Sequence, residues 1–365
     1  MSANPYRDKQ TIRDLTEALR GEAAGLPPMS IMHVCGTHEH EIRRHALRQL
    51  LPEHVRLVAG PGCPVCITPA SAIATAIELA RLPERPIVCA YGDIVRTPIR
   101  TGSLFDARGE GADVRVVYDL REPVRLAREN PSRRVIFFSI GFETTAAPVA
   151  VLLRGELPAN FFIYTCHRWV PAAVEALAQN DDGVIAGYLL PGHAAVITGQ
   201  VAYQFLPEKY SRAAAVAGFE PAEILAAMLS IVRQVKSGRL TVANCYARAV
   251  RREGNQRAQE VLFEVFKIGT AAWRGIGELP GTGLHLREAY ERYDALGATG
   301  VAEATDVEDV MPGCQCHLIM VGRRMPEDCA LFGGECAPDH PKGPCMVGGE
   351  GTCRAHYLYP EEPDD

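Results

Sequence analysis

Short apolar runs recur between residues 30 and 235 and alternate with longer stretches rich in Ala and Leu. Several runs contain almost no polar residue, which is typical of parallel strands buried on both faces. We predict strands at residues 31–34, 55–59, 87–90, 114–118, 135–140, 161–165, 184–190 and 213–217. Apolar residues at helical spacing predict helices at residues 69–82, 122–129, 145–154, 171–179, 221–235 and 254–267.

The alternation of strands and helices predicts an α/β fold with two similar doubly wound parallel-sheet domains that face a cleft. A turn signal, Asn130-Pro131-Ser132, separates a first α/β domain at residues 30–130 from a second at 131–235. Residues 1–29 and 236–365 are assigned to a smaller, helical and cysteine-rich domain. Beyond Gly275 the sequence GIGELPGTG predicts loops, because Gly and Pro interrupt both helices and strands.

Composition narrows the class of protein further. The 365 residues include 38 Lys and Arg against 44 Asp and Glu, so the net charge of −6 argues against a nucleic-acid-binding protein. The apolar runs are too short to span a bilayer, and the polar start MSANPYRDKQ lacks the apolar region of a signal peptide. We therefore expect a cytoplasmic location, where clustered cysteines favour metal or redox chemistry over structural disulfides.

Reactive and flexible residues follow five of the predicted strands. In α/β sheets, sites form beyond the carboxyl ends of the strands, so these segments predict a site in the cleft. The segments are CGTHE (35–39), GPGCPVC (60–66), GFETT (141–145), CHR (166–168) and PGH (191–193).

The first two of these segments carry three cysteines. Cys63 and Cys66 form a CxxC motif, whose sulfurs can form a redox disulfide or bind one metal; the alternative is a pair of buried apolar thiols. Cys35 lies beside His38 and Glu39, which could transfer a proton or bind a cation, although a simple buried cysteine is equally compatible. If the three thiolates converge, they form a soft-ligand site suited to iron or zinc.

The other strand-end residues have weaker functional interpretations. Glu143 could cap the following helix or hold a charge at the cleft. Cys166 and His167 could pair as a nucleophile and its base, but no second signature supports a hydrolase. His193 is more simply interpreted as a structural histidine in a Pro-Gly-His turn.

Six of the 12 cysteines lie in the last 52 residues, in a segment too rich in Gly and Pro to form its own apolar core. Four thiolates could hold zinc or a 4Fe–4S cluster, and the wide spacing without a close CxxC pair favours the cluster. Cys314 and Cys316 form an additional pair that is either idle or able to exchange with a ligand. The four widely spaced cysteines are Cys329, Cys336, Cys345 and Cys353.

Taken together, these motifs resemble the HypD family of hydrogenase maturation proteins. The resemblance runs through most of the chain and is specific in combination, although no single motif is. The matching segments are CGTHE (35–39), GPGCPVC (60–66), YGDIVRTP (91–98), GFETT (141–145), LLPGH (189–193), GFEPAEIL (218–225), EGN (253–255), WRGIG (273–277) and the cysteines from Cys314 to Cys353.

The resemblance implies a scaffold that assembles the Fe(CN)2CO group of NiFe hydrogenase with the small chaperone HypC. It implies that cyanide arrives as a thiocyanate on HypE, with HypF acting upstream, and is released reductively onto iron. Cys35 would bind the iron together with a HypC cysteine, and Cys63 and Cys66 would form the redox and iron-site pair near His38 and Glu39. The four widely spaced C-terminal cysteines would hold a 4Fe–4S cluster, and the chain would be a monomer that forms hetero-complexes.

Two other functions remain open from the sequence. One is a stand-alone thiol–disulfide oxidoreductase supplied with electrons by an iron–sulfur cluster. The other is a binding module stapled by zinc. The three functions differ in the role of iron. Iron is the cargo of the scaffold, an electron-transfer cofactor of the oxidoreductase, and absent from the zinc-binding module.

Overall fold

The computed structural model describes residues 4–181 and 183–360, and its strands form two sheets. The predicted domain ranges also include residues 1–3, 182 and 361–365, which lie outside the described residues. The strands are β1 (Met29–His33), β2 (Val55–Ala59), β3 (Ile87–Ala90), β4 (Asp113–Val116), β5 (Val135–Gly141), β6 (Phe161–Arg168), β7 (Ile185–Pro191), β8 (Ala213–Ala217), β9 (Val242–Asn244), β10 (Phe266–Trp273) and β11 (Gly277–Leu286).

Helices cover the faces of both sheets. The described helices are α1 (Lys9–Ala23), α2 (Gly36–Arg44), α3 (Pro64–Ile67), α4 (Ala70–Ala80), α5 (Gly92–Arg96), α6 (Leu104–Gly109), α7 (Glu122–Glu129), α8 (Glu143–Leu153), α9 (Val170–Gln179), α10 (Gly192–Thr198), α11 (Phe205–Tyr210), α12 (Pro221–Ser237), α13 (Gln256–Val265), α14 (Ala295–Thr299), α15 (Cys316–Ile319) and α16 (Thr352–Leu358).

Helix α12 shows how local sequence sets these bounds. Pro221 occupies the first turn, where its missing N–H costs nothing, and the Glu223 carboxylate accepts the backbone N–H of Glu220 at 3.2 Å. The helix ends at Gly238, whose φ of 66° belongs to the left-handed region. Its apolar face is buried against β7 and β8 of the first sheet.

The first sheet has the strand order β2-β1-β7-β8-β9, and all its strands are parallel. Parallel strands end at the same edge, so the segments after β2, β1, β7 and β8 lie side by side. These are the segments GPGCPVC, CGTHE, PGH and GFEP. The topology thus collects four of the sequence motifs at one sheet edge.

The second sheet has the order β10-β11-β6-β5-β3-β4. Strands β4, β3, β5 and β6 are parallel, whereas β11 pairs antiparallel with both β6 and β10. Strand β5 is buried along its whole length, as expected for the central position of the apolar sequence VIFFSIG. The GFETT segment follows this strand.

Two sheets dominated by parallel strands confirm the predicted α/β class. Every predicted strand and helix is present, some with the predicted bounds, such as β2 and α7, and the others with shifted ends. The sheets do not follow the division at residue 131, because β5 pairs in register with β3, Val135 opposite Ile87. Pattern alone cannot assign pairing between distant strands. The expectation of loops beyond Gly275 is wrong, since the β10–β11 hairpin forms there with a register shift near Gly269.

The cysteine-rich segment after residue 310 contains little regular structure and packs onto the rest of the fold. Its cysteines share one hydrophobic core with α3, α4 and the central strands of the second sheet. Whether this segment and the two sheets form separate domains stays a prediction. No helix in residues 4–181 or 183–360 has the length and apolar character needed to cross a membrane.

Candidate thiol and metal site

The carboxyl edges of the two sheets meet at the cleft. Pro64 and Val65, which follow β2 of the first sheet, line one cavity with Tyr91, Asp93 and Ile140 of the second sheet. The GPGCPVC segment therefore lies opposite the ends of β3 and β5. This cavity is lined by segments that follow strands of both sheets, whereas a cleft between two similar domains stays a prediction.

Cys35 is a buried residue at the N-cap of α2. The Gly36 N–H donates to the Gly62 carbonyl at 3.0 Å, and a Cβ at Gly62 would overlap the Cys35 backbone. Only glycine at position 62 permits this close approach of the two motifs. Burial, together with the charge of Glu350, raises the pKa of the Cys35 thiol to about 12, so binding a metal must displace a proton.

Cys63 and Cys66 are joined by a disulfide at the start of α3. Cys63 is the N-cap, and its sulfur accepts the backbone N–H of Cys66 at 3.2 Å. Their exposed fractions are 5% and 1%. The CxxC motif thus forms a disulfide one loop away from Cys35, inside the protein rather than on its surface.

His38 is completely buried and belongs to a stack of rings at this edge. Its Nε2 donates to the Gly218 carbonyl at 2.9 Å, which leaves Nδ1 as an acceptor without a partner in the described residues. Phe219 stacks on His38 at 4.8 Å and on the exposed His193 at 3.8 Å. Burial lowers the pKa of His38 to about 3, so the imidazole is neutral at neutral pH.

Glu39 is also completely buried, and both its oxygens are engaged. One oxygen contacts His33 Nε2 at 2.5 Å and Arg48 Nη2 at 2.8 Å, and the other contacts Arg48 Nη1 at 2.9 Å and His356 Nε2 at 3.1 Å. Burial alone would raise the pKa of Glu39, but Arg48 and His33 hold it well below its usual value. The carboxylate therefore joins α2 to the C-terminal helix α16, which is a positioning role.

Glu143 lies at the first position of α8 and is buried between the sheets. Its Oε1 accepts the backbone N–H of Val170 at 2.6 Å, while Oε2 is buried without a partner in the described residues. Burial raises the pKa of Glu143 to about 8. Glu143 therefore does not cap the helix that follows it, as one prediction had it, but accepts an N–H of the next helix, α9. The predicted charge is not favoured either, because the raised pKa favours the protonated acid at neutral pH.

Cys166 and His167 do not form a nucleophilic pair. They are adjacent residues of β6, so their side chains point to opposite faces of the sheet. His167 contacts Ser139 Oγ at 2.9 Å and packs against Phe266, whereas Cys166 belongs to the core on the other face. Burial also raises the pKa of Cys166. Cys166 and His167 therefore do not form the pair of nucleophile and base that the hydrolase hypothesis requires.

The cysteine-rich segment encloses a cavity lined by six cysteines and five other residues, four of which are apolar. Cys314 and Cys316 line this cavity together with the four predicted ligands, so they are part of the same site. In the sequence, the close Cys-Gln-Cys spacing is the feature that could have indicated their membership. A Cβ at Gly343 would lie 2.7 Å from Cys314 Sγ. The cysteines are Cys314, Cys316, Cys329, Cys336, Cys345 and Cys353.

A set of six converging thiols is suited to a thiolate-bound metal group. Over residues 4–181 and 183–360, no three or more His, Cys, Asp or Glu side chains are arranged to hold a single metal ion. Whether these thiols hold zinc or a 4Fe–4S cluster stays a prediction. Hydrogen bonding from Cys314 and Cys345, aided by Arg274, lowers the pKa of Cys316, which favours a thiolate in this cavity.

The C-terminal segment also closes over the Cys35 loop. Thr37 Oγ1 donates to Glu350 Oε1 at 2.8 Å, and a Cβ at Gly36 would overlap the Glu350 backbone. The disulfide cysteines and five of the cavity cysteines belong to the same hydrophobic core, with Cys314 packed against it. The iron-site candidate, the disulfide and the C-terminal thiols thus form one continuous region.

The fold and this region define an α/β protein with a buried disulfide and a set of buried cysteines close to it. The profile of the HypD family, described as the hydrogenase formation hypA family, matches residues 10–360. The chain therefore belongs to the HypD family of hydrogenase maturation factors.

Relatives of nearly the same length support this assignment. Hydrogenase maturation factor HypD2 of Bradyrhizobium diazoefficiens is 41% identical over 98% of this chain and 96% of its own length. Hydrogenase maturation factor HypD of Escherichia coli K12 is 38% identical over 98% and 97%. A putative hydrogenase expression/formation protein of Methanocaldococcus jannaschii is 40% identical over 96% and 98%.

Proposed function

We propose that this chain is the scaffold and redox site on which the Fe(CN)2CO group of NiFe hydrogenase is assembled with a HypC chaperone. The observation that carries the proposal is the continuity of the three thiol groups. Cys35 is held against the GPGCPVC loop through Gly62, and the Cys63–Cys66 disulfide shares its core with the C-terminal cysteines.

In this proposal the iron is the substrate, and Cys35 supplies one thiolate to it while HypC supplies another. The apolar surroundings that raise the pKa of Cys35 also exclude water from a low-valent iron. His38 is neutral, and its buried Nδ1 can accept a hydrogen bond but cannot repel a cation. These residues bind and shield the iron.

Release of cyanide from a HypE thiocyanate requires two electrons. Two thiols, Cys63 and Cys66, supply them: the S–C bond of the thiocyanate breaks, a thiol and hydrogen cyanide form, and the Cys63–Cys66 disulfide forms. The cyanide then binds to iron. When bound in the C-terminal cavity, a 4Fe–4S cluster supplies electrons singly to restore the dithiol.

A stand-alone thiol–disulfide oxidoreductase is disfavoured by the burial of both sulfurs. Such enzymes exchange disulfides with large partners and need an accessible attacking thiol. With exposures of 5% and 1%, Cys63 and Cys66 offer little surface to the disulfide of a folded partner protein.

The test uses the anaerobic complex of this chain with HypC and infrared spectroscopy. Wild-type complex should show cyanide and carbonyl stretches, which Cys35→Ala should abolish. Cys89→Ala is the matched control, because Cys89 is an equally buried thiol with a pKa raised to about 12 by burial, but in another core. Stretches that persist in Cys35→Ala would contradict the iron-binding role.

The redox part is tested separately. Cys63→Ala should leave iron binding by Cys35 intact but prevent the appearance of cyanide stretches. Purified wild-type protein should be brown and contain about four irons per chain, whereas a colourless zinc protein would support the zinc-stapled alternative.

A further inference from the structure

Arg274 is a buried arginine in the turn between β10 and β11, and its side chain is 0% exposed. Its Nε donates to the Asp309 carbonyl at 2.7 Å and its Nη2 to the Pro98 carbonyl at 2.9 Å. Nη1 is buried and has no hydrogen-bond partner in the part of the chain that the structure describes. The guanidinium is therefore only partly satisfied by neutral acceptors.

Asp309, an acidic residue beside Arg274, has its carboxylate engaged elsewhere. The Asp309 carboxylate accepts the backbone N–H groups of Ala70 at 2.8 Å and Gly275 at 3.0 Å. Within residues 4–181 and 183–360, Arg274 forms no ion pair with a carboxylate. Burying a cation in this way is costly unless a negative charge of another kind compensates for it.

The position of Arg274 indicates what that charge is. Its backbone N–H donates to the Ile67 carbonyl of α3 at 2.9 Å, and a Cβ at Gly275 would lie 2.5 Å from the Cβ of His317, which follows Cys316. Burial lowers the pKa of Arg274, while the charges of Cys316, Asp309, Cys345 and Cys314 raise it. The Arg274–Gly275 turn thus lies between the disulfide helix and His317 beside the six-cysteine cavity, and cavity cysteines are among the groups whose charges act on Arg274.

We propose that Arg274 is the fixed counter-charge of the C-terminal metal group and raises its reduction potential. The inference rests on the proposed 4Fe–4S cluster. One-electron reduction adds a negative charge to the cluster, and a buried cation stabilises that charge strongly because little solvent screens it. Arg274 thereby acts as a positioning and tuning residue and makes the cluster easier to reduce.

The test compares the midpoint potentials of the cluster in wild-type, Arg274→Gln and Arg274→Met proteins by redox titration monitored by electron paramagnetic resonance. Both neutral variants should reduce the equilibrium constant for cluster reduction at least tenfold, which is a shift of about 59 mV to more negative potential. Arg274→Lys should restore most of the difference, because it keeps the charge.

Arg168→Gln is the matched control. Arg168 is also buried, donates to the carbonyls of His167 at 3.1 Å and Ala272 at 2.7 Å, and has an unpaired Nε, but its neighbouring thiol is Cys166 rather than a cavity cysteine. This variant loses a comparable set of hydrogen bonds and should leave the potential unchanged.

The outcomes separate the inference from the proposed function. A wild-type protein without a cluster overturns the proposed cluster itself. If the wild-type protein holds a cluster and both neutral variants have the same midpoint potential as wild type, the role of Arg274 is overturned. The role is also overturned if both neutral variants misfold as apo-proteins, because Arg274 would then be required for folding. If both neutral variants fold but do not retain the cluster, while Arg168→Gln does retain it, the result supports Arg274 as the counter-charge of the cluster.

Discussion

Replacing Glu39 by glutamine should loosen the connection between helix α2 and the C-terminal helix α16. The carboxylate contacts His33, Arg48 and His356, and it is completely buried. A neutral amide cannot balance these donors. Breaking a buried charged pair by removing one partner costs about 3–5 kcal/mol. At about 1.4 kcal/mol per tenfold change, local opening should become roughly 100- to 4,000-fold more frequent.

Hydrogen exchange of the backbone amides measures this opening without assuming that the whole chain unfolds in two states. In Glu39→Gln, amides of α2 and α16 should exchange faster by the factor given above, while central strands of the second sheet should not change. Glu110→Gln is the control, because the Arg81–Glu110 pair is exposed on both sides and is worth about 1 kcal/mol or less. Exchange in α2 and α16 within about fivefold of wild type would refute the reasoning.

The same substitution has a predictable pH dependence. The folded-state pKa of Glu39 is depressed below its ordinary value of 4.5, so the stability that its charge contributes is present above pH 4.5. It is lost as the pH falls through the lower folded-state pKa. The difference in exchange between wild type and Glu39→Gln should therefore be steady at neutral pH and shrink in acid.

Three further predictions concern single side chains. Gly343→Ala should lower the iron content of the purified protein, because the added Cβ displaces Cys314. Gly334→Ala is the control, because its Cβ would meet open space. Equal iron contents in the two variants would contradict the cavity geometry. Burial raises the pKa of Glu143 from 4.5 to about 8, so the contribution of Glu143 to stability falls as the pH rises through that range. The difference in thermal midpoint, Glu143→Gln minus wild type, should therefore increase between pH 5 and 8. A difference that stays constant over this range would contradict the prediction. In metal-free protein, Glu350→Gln should lower the pKa of Cys35 and speed its alkylation by iodoacetamide, measured by peptide mass spectrometry; an unchanged rate would reject the electrostatic effect of Glu350.

Local sequence patterns predicted the elements better than their arrangement. The apolar run at residues 135–140 and the helical spacing at 122–129 correspond to β5 (Val135–Gly141) and α7 (Glu122–Glu129). The β10–β11 hairpin was missed because its glycines and proline hide the alternation of a strand. Its turn is important, because it carries Arg274.

Site residues were predictable where the residue type itself carries the chemistry. Cysteines with chemical potential can be recognised from residue type and spacing, so Cys35, Cys63 and Cys66 could be selected from the sequence. The role of Glu39 could not, because its partners Arg48 and His356 are recruited from 9 and 317 residues away. Whether a carboxylate is free or fully engaged depends on such distant partners.

The sequence by itself determined the α/β class, the strands and helices, and the set of thiols available for chemistry, because these follow from short-range periodicity and residue type. Only the tertiary structure decided which strands share a sheet, since parallel pairing joins segments such as β1 (Met29–His33) and β7 (Ile185–Pro191), where Ile31 pairs with Gly187, 156 residues further on. It also decided that the disulfide and the C-terminal cysteines share one core and that a buried arginine lies beside them. The physical reason is that burial and charge compensation are properties of the packed chain, in which residues distant in sequence become neighbours.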